Sequence, residues 1–128
     1  MKYSVSNFGL DEFKCPDCGV MAVSANLVFW LDQIRKACGL PLVVNSGYRC
    51  AKRNAAVGGA PESRHLIGCA ADIAVPRKFV EYGLFVSLVK RFLYEGCEFK
   101  EYPNKTYVHI AVPRTEYKNV WRGGELTI

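Results

Sequence analysis

Between Ser24 and Cys38 the apolar residues Leu27, Trp30, Leu31, Ile34 and Cys38 recur at steps of three and four. That spacing places them on one face of a helix. Ser24 or Asn26 is suited to cap its start, and Gly39-Leu40-Pro41 stops it. A second helix is predicted from Phe79 to Tyr94, with Phe85, Leu88, Val89 and Phe92 as its buried stripe and Gly96 as its end. Between the two, CAKRNAA at 50–56 has the composition of a short helix, broken by Gly58-Gly59 and Pro61.

The remaining apolar runs are short. Leu42-Val43-Val44 predicts a strand ending at Asn45-Ser46-Gly47, and Ala70–Val75 predicts another, ended by Pro76. Glu98–Tyr102 and Tyr107–Val112 predict two strands joined by the turn Pro103-Asn104-Lys105. Residues 1–22 mix Gly, Pro and Cys with single aromatics and are expected to form an irregular N-terminal arm. The tail holds Trp121 and a Gly123-Gly124 break. Helices and strands are mixed, and the last two strands are close enough to pair antiparallel. The expected class is α+β, one domain over 1–128, with a mainly antiparallel sheet packed by helices.

Composition adds bounds rather than an identity. A chain of 128 residues builds one core, not two. The net charge of +5 suits an anionic partner such as a nucleic acid or a bacterial wall. Lysines and arginines are spread out with no dense run, so a nucleic-acid footprint is weak. MKYSVSNFGLDEF lacks the apolar stretch of a signal peptide, and no later segment is long enough to span a membrane. The expectation is a chain made in the cytoplasm that needs another agent to release it if it acts at the cell wall.

The six cysteines are irregularly spaced. Cys15-Pro-Asp-Cys18 fits half of a zinc knuckle, a redox pair or two reduced thiols. A four-thiolate site needs a second such pair, which the chain lacks, so simple thiols are the favoured reading. Cys38, on the first helical stripe, belongs to the core.

Strand alternation singles out three residues. In Ala70–Val75, Ile73 and Val75 face one way, while Ala70, Asp72 and Ala74 face the other. In the later strand Val108 and Ile110 face the core, and Tyr107, His109 and Ala111 share the opposite side. His65 lies in the loop feeding the first of these strands, and His65 and His109 are the only histidines. Two imidazoles and a carboxylate with an open fourth position match catalytic zinc. The plainer alternative is a hydrogen-bonded core histidine beside a strand-edge aspartate.

The run SGYRCAKRNAAVGGAPESRHLIGCAADIAV, residues 46–75, resembles the zinc-dependent D-alanyl-D-alanine peptidase family, above all its short single-domain branch in bacteria and phages. The matching positions are Ser46-Gly47-Tyr48-Arg49, Asn54, Val57-Gly58-Gly59, Ser63, His65, Gly68, Ala70 and Asp72. NFGLDEFKCPDCG resembles the family's N-terminal arm, and YVHIAV its strand carrying the third ligand. The resemblance implies a Hedgehog/DD-peptidase-like fold, a zinc ion on His65, Asp72 and His109, and a metal-activated water that hydrolyses the peptide part of peptidoglycan. It implies that Arg49 grips a peptide carboxylate or steadies the oxyanion, and that Ser63 bonds substrate or supports a ligand. The plainer roles are a surface salt bridge for Arg49 and loop capping for Ser63. Gly68 serves backbone geometry.

The match thins at the proton shuttle. Several branches carry a carboxylate or histidine three residues before the last histidine, where this chain has Thr106. The branch it most resembles commonly has an aspartate two residues after it, where this chain has Ala111. Glu98 and Glu101 on the preceding strand are the substitutes, and Glu101 is preferred; only one face of that strand can point at the metal. Tyr102 and Tyr107 are phenolic alternatives, with Tyr107 on the face of His109. Cys69 alternates away from Asp72 and is assigned to the core. Two rivals follow: a zinc-binding but non-hydrolytic wall-binding or phage structural module, favoured by Thr106 and Ala111, and a zinc-knuckle nucleic-acid binder built on CPDC. The second needs two more ligands near Cys15 and Cys18, and both histidines are already spoken for.

Overall fold

The protein is described from a computed structural model, over residues 2–39, 41–74, 79–102 and 107–127. Helix α1 spans Ala25–Cys38. Ser24 rather than Asn26 caps it, its Oγ accepting from the Leu27 N–H at 3.4 Å. Asn26 instead donates its side-chain amide to the Tyr94 hydroxyl. Gly39 ends the helix at φ +67°, a left-handed turn suited to glycine. The predicted stripe is the buried one, with Leu27, Leu31 and Ile34 fully enclosed and Trp30 and Cys38 packed at its edge.

Helix α2 covers Ala51–Ala56 and α3 covers Phe79–Phe92. Phe85 and Val89 of α3 are buried, while Phe92 is half-buried. Among the described residues no helix is long and apolar enough to cross a membrane.

Four strands, β2 (Val43–Ser46), β3 (Ala70–Ala74), β4 (Glu98–Glu101) and β5 (Tyr107–Ala111), form one sheet in the order β2-β3-β5-β4. Every neighbouring pair is antiparallel. One face presents Ala71, Ile73, Val108 and Ile110 to the core built with α1 and α3. The other face is left to polar side chains, so the sheet becomes a floor for a site. The class is α+β, as the mixture of periodicities predicts. The turn at 103–105, Thr106, and the strand end at Val75-Pro76 lie outside the described residues.

The arm departs from expectation. It opens with a strand, β1 (Lys2–Ser4), which pairs antiparallel with β6 (Glu125–Thr127). Three residues are too few to show alternation, and the partner lies at the other end of the chain. The arm is also pinned to α1 through Asp32, which is fully buried. Its carboxylate accepts from the Tyr3 hydroxyl at 2.7 Å and the Asn7 N–H at 3.0 Å, and pairs with Lys36 at 3.1 Å. Farther along, Phe13 is fully buried, edge-on to Trp121. Its backbone passes so close to Gly47 that a Cβ there would stand 2.6 Å from the Phe13 Cα.

Candidate metal centre

Register brings the site together. Asp72 on β3 lies directly opposite His109 on β5, and Ser46 on β2 lies opposite Asp72. Residues paired across antiparallel strands share a face, so all three project from the polar side of the sheet. His65 arrives from a turn of 3₁₀ helix at Arg64–Ile67. Ser63 caps that turn, its Oγ accepting from the His65 N–H at 3.2 Å. Gly68 ends it at φ +71°, with a Cβ excluded by the Ala22 carbonyl oxygen 2.6 Å away. Ser63 thus does the capping work, and Gly68 the backbone work.

His65, Asp72 and His109 are all buried. His65 Nε2 stands 3.2 Å from Asp72 Oδ1, and His109 Nδ1 stands 3.1 Å from the same oxygen. The outer ring nitrogens decide what this means. His65 Nδ1 lies 2.7 Å from the Gly47 carbonyl oxygen, which can only accept, so Nδ1 carries the proton. His109 Nε2 lies 3.0 Å from Glu98 Oε1 and likewise donates. In the neutral rings, both inner nitrogens then turn lone pairs toward a carboxylate oxygen. Three converging lone pairs, each pre-aimed by a partner behind it, need a cation between them. The donor set of two imidazoles and a carboxylate suits zinc, and the three ligand atoms lie within 4.8 Å of one another.

Asp72 is charged to match. Burial pushes its carboxyl up, but with no cation in between, hydrogen bonds from His109 and His65 in their protonated form outweigh this and hold it far below the usual carboxylate range, a role a cation takes over when both rings are neutral. Its second oxygen is taken by Arg49 Nη2 at 3.1 Å. Arg49 is itself fixed, Nε donating to Ser46 Oγ and Nη1 to Asn54 Oδ1, each at 3.1 Å. Arg49 is therefore no surface salt bridge: it braces Asp72 and lines the cleft.

The preference for Glu101 is overturned. Glu101 pairs with Val108, a core-facing residue, so it projects from the opposite side of β4 and accepts from the Tyr82 hydroxyl at 3.0 Å. Glu98 takes the metal-side face and is paired directly across from Ala111. A carboxylate missing from β5 is thus supplied by the neighbouring strand. Its other oxygen lies 3.7 Å from Arg64 Nη2. Burial raises the Glu98 carboxyl, but the His109 bond and the Arg64 and His109 charges bring it below its ordinary value. Tyr107 shares the face of His109, lines the cleft and stacks at a tilt on Tyr102, ring centroids 5.0 Å apart. Cys69 is fully buried away from the site, and burial pushes its thiol up to about 11.

Over these residues lies a cleft of ≈ 710 Å³. Lys14, Arg49, Arg53, Arg64, Lys100 and Arg114 line it, against the acidic Glu12, Glu62, Asp72 and Glu98. All four strands of the sheet contribute to its lining, from Ser46 on one edge to Glu98 and Lys100 on the other.

A family model described as Peptidase M15 matches residues 5–111. No curated protein matches the chain. Among solved structures it is similar to the L-Ala D-Glu endopeptidase ChiX of Serratia marcescens, at 22% identity and a TM-score of 0.52. That likeness covers 74% of this chain and 84% of the other, and at such an identity it speaks for a shared fold.

Proposed function

The chain belongs to the peptidase M15 family, whose members are zinc-dependent, and on that premise we propose that it hydrolyses the peptide part of bacterial peptidoglycan at D-Ala-D-Ala or a related bond. The observation that carries the reading is the convergence of His65 Nε2, Asp72 Oδ1 and His109 Nδ1 on the floor of an open cleft. Those three residues would hold the ion. Zinc, when bound, supplies a Lewis acid that polarises the scissile carbonyl and acidifies a water toward neutral pH.

The chain's own residues do the rest. Glu98 keeps the proton of His109 on Nε2, leaving Nδ1 to bind metal. Gly47 does the same for His65 through Nδ1. Three of the Arg49 N–H groups hold Ser46, Asn54 and Asp72. The two left over from its five are the donors Arg49 has to offer a substrate carboxylate or a developing oxyanion in the cleft it lines. Tyr107, on the face of His109, is a phenolic donor to the same region.

The cleft favours cutting within a peptide over trimming its last residue. It crosses all four strands, whose three spacings make about 14 Å, room for about four extended residues. The central strands β3 and β5 carry Asp72 and His109, so chain can lie on both sides of the scissile bond. Six basic side chains along the walls suit stem peptides that carry free carboxylates. The protein's place of action is then the wall, reached by release from the cell.

The test is digestion of purified peptidoglycan by zinc-loaded protein, with the products identified by mass spectrometry. New peptide ends, absent with chelator and with His109→Ala, are expected. Free D-alanine as the sole product would overturn the internal cut. No product from any bond, with zinc bound, would leave a wall-binding module.

A further inference from the structure

Outside the histidine centre, the fold brings Cys50 against the Cys15-Pro-Asp-Cys18 segment of the arm. From this geometry we infer a second zinc site, independent of the first, formed by the thiolates of Cys15, Cys18 and Cys50. The three sulfurs lie within 4.8 Å of one another. Cys15 Sγ and Cys50 Sγ are 3.7 Å apart. That is far from the ~2.05 Å of a disulfide. It is the edge of a tetrahedron around a zinc ion: bonds of about 2.3 Å put neighbouring sulfurs about 3.8 Å apart.

The backbone is shaped to match. The Cys15 N–H donates to the Val20 carbonyl at 2.9 Å, and the Gly19 N–H to the Cys15 carbonyl at 2.8 Å. Gly19 turns the chain at φ +74°, so the segment doubles back and presents both sulfurs on one side. Soft thiolate donors select zinc over the hard cations of the cell, and binding releases the thiol protons to solvent. Cys18 is exposed, so the fourth position falls to water.

The place of this site gives it work to do. It fastens the arm to the loop at 47–50, where the Tyr48 N–H already donates to the Phe13 carbonyl at 2.9 Å. That loop supplies the Gly47 oxygen that orients His65 and the Arg49 that braces Asp72. A thiolate-bound ion here would hold the supports of the histidine centre without touching it.

Cobalt(II) separates the sites, because only sulfur ligation gives an intense thiolate-to-cobalt charge-transfer band in the near ultraviolet. The full-length chain is expected to show that band and to bind two zinc ions. The His65→Ala, His109→Ala double variant should keep the band and one zinc. Cys18→Ser and Cys50→Ser should each lose the band and fall from two zinc ions to one. Cys18 is at the surface, so its variant keeps the core, and circular dichroism checks this. No charge-transfer band in the wild type, two zinc ions retained by Cys18→Ser, or a Cys15–Cys50 disulfide in zinc-replete protein would each overturn the site.

Discussion

Replacing Glu98 by Gln asks whether the carboxylate on β4 tunes the histidine centre. The wild-type bond runs from His109 Nε2 to Glu98 Oε1 at 3.0 Å. Glutamine can still accept there, so ring orientation is kept and only the charge is lost. A hydrogen bond to a charged group contributes about 1.5–3 kcal/mol and a neutral one about 0.5–1.5, a difference of roughly 1–1.5 kcal/mol. The Glu98 side chain is 32% exposed, which screens the charge and favours the lower figure. About 1 kcal/mol is about fivefold in affinity, just under the 10–100-fold range for groups that orient metal-binding histidines. The assay is zinc competition against a chromophoric chelator at pH 7, in a Cys18→Ser background so that the histidine centre is read alone. Glu98→Gln should weaken binding about fivefold, and Glu98→Ala, which leaves the N–H without its acceptor, toward a hundredfold. Glu101→Gln, on the opposite face, should leave affinity unchanged. Equal affinities for wild type and both Glu98 variants, or a loss confined to Glu101→Gln, would refute the reasoning.

Two further outcomes test the frame. Asp32→Asn should lower stability at pH 7 by about 2 kcal/mol, since its charge-assisted bonds to Tyr3, Asn7 and Lys36 are weakened. Burial raises the Asp32 carboxyl but those partners hold it below its ordinary value, so its stabilisation is full above the unfolded pKa and fades as pH falls through the folded one. Denaturant melts of the two proteins should therefore converge toward acid pH, and a gap that stays constant down to pH 2 would contradict the role of the charge. Gly68→Ala should cost about 1–3 kcal/mol, because an alanine at φ +71° is strained and its Cβ meets the Ala22 carbonyl. An unchanged melting temperature would show that the turn carrying His65 can shift freely.

The local patterns of the chain were enough for the three helices, the four strands of the main sheet and two key side chains. Steps of three and four marked the buried face of α1, and alternation put Asp72 and His109 on the side of the sheet away from the core. Those periodicities are properties of a single segment, and they survive whatever the rest of the chain does. The histidine motif added the pairing of His65 with Asp72, with its turn capped by Ser63 and ended by Gly68. What the sequence could not decide was offset between segments. Glu98 and Glu101 are three residues apart and so face opposite ways, but only the pairing of β4 with β5 selects which one meets His109. The same holds for β1 against β6, for the buried Asp32 under the arm, and for Cys50 beside Cys15 and Cys18. Each joins residues distant in the chain, and their meeting is set by how the whole core closes rather than by any spacing along it.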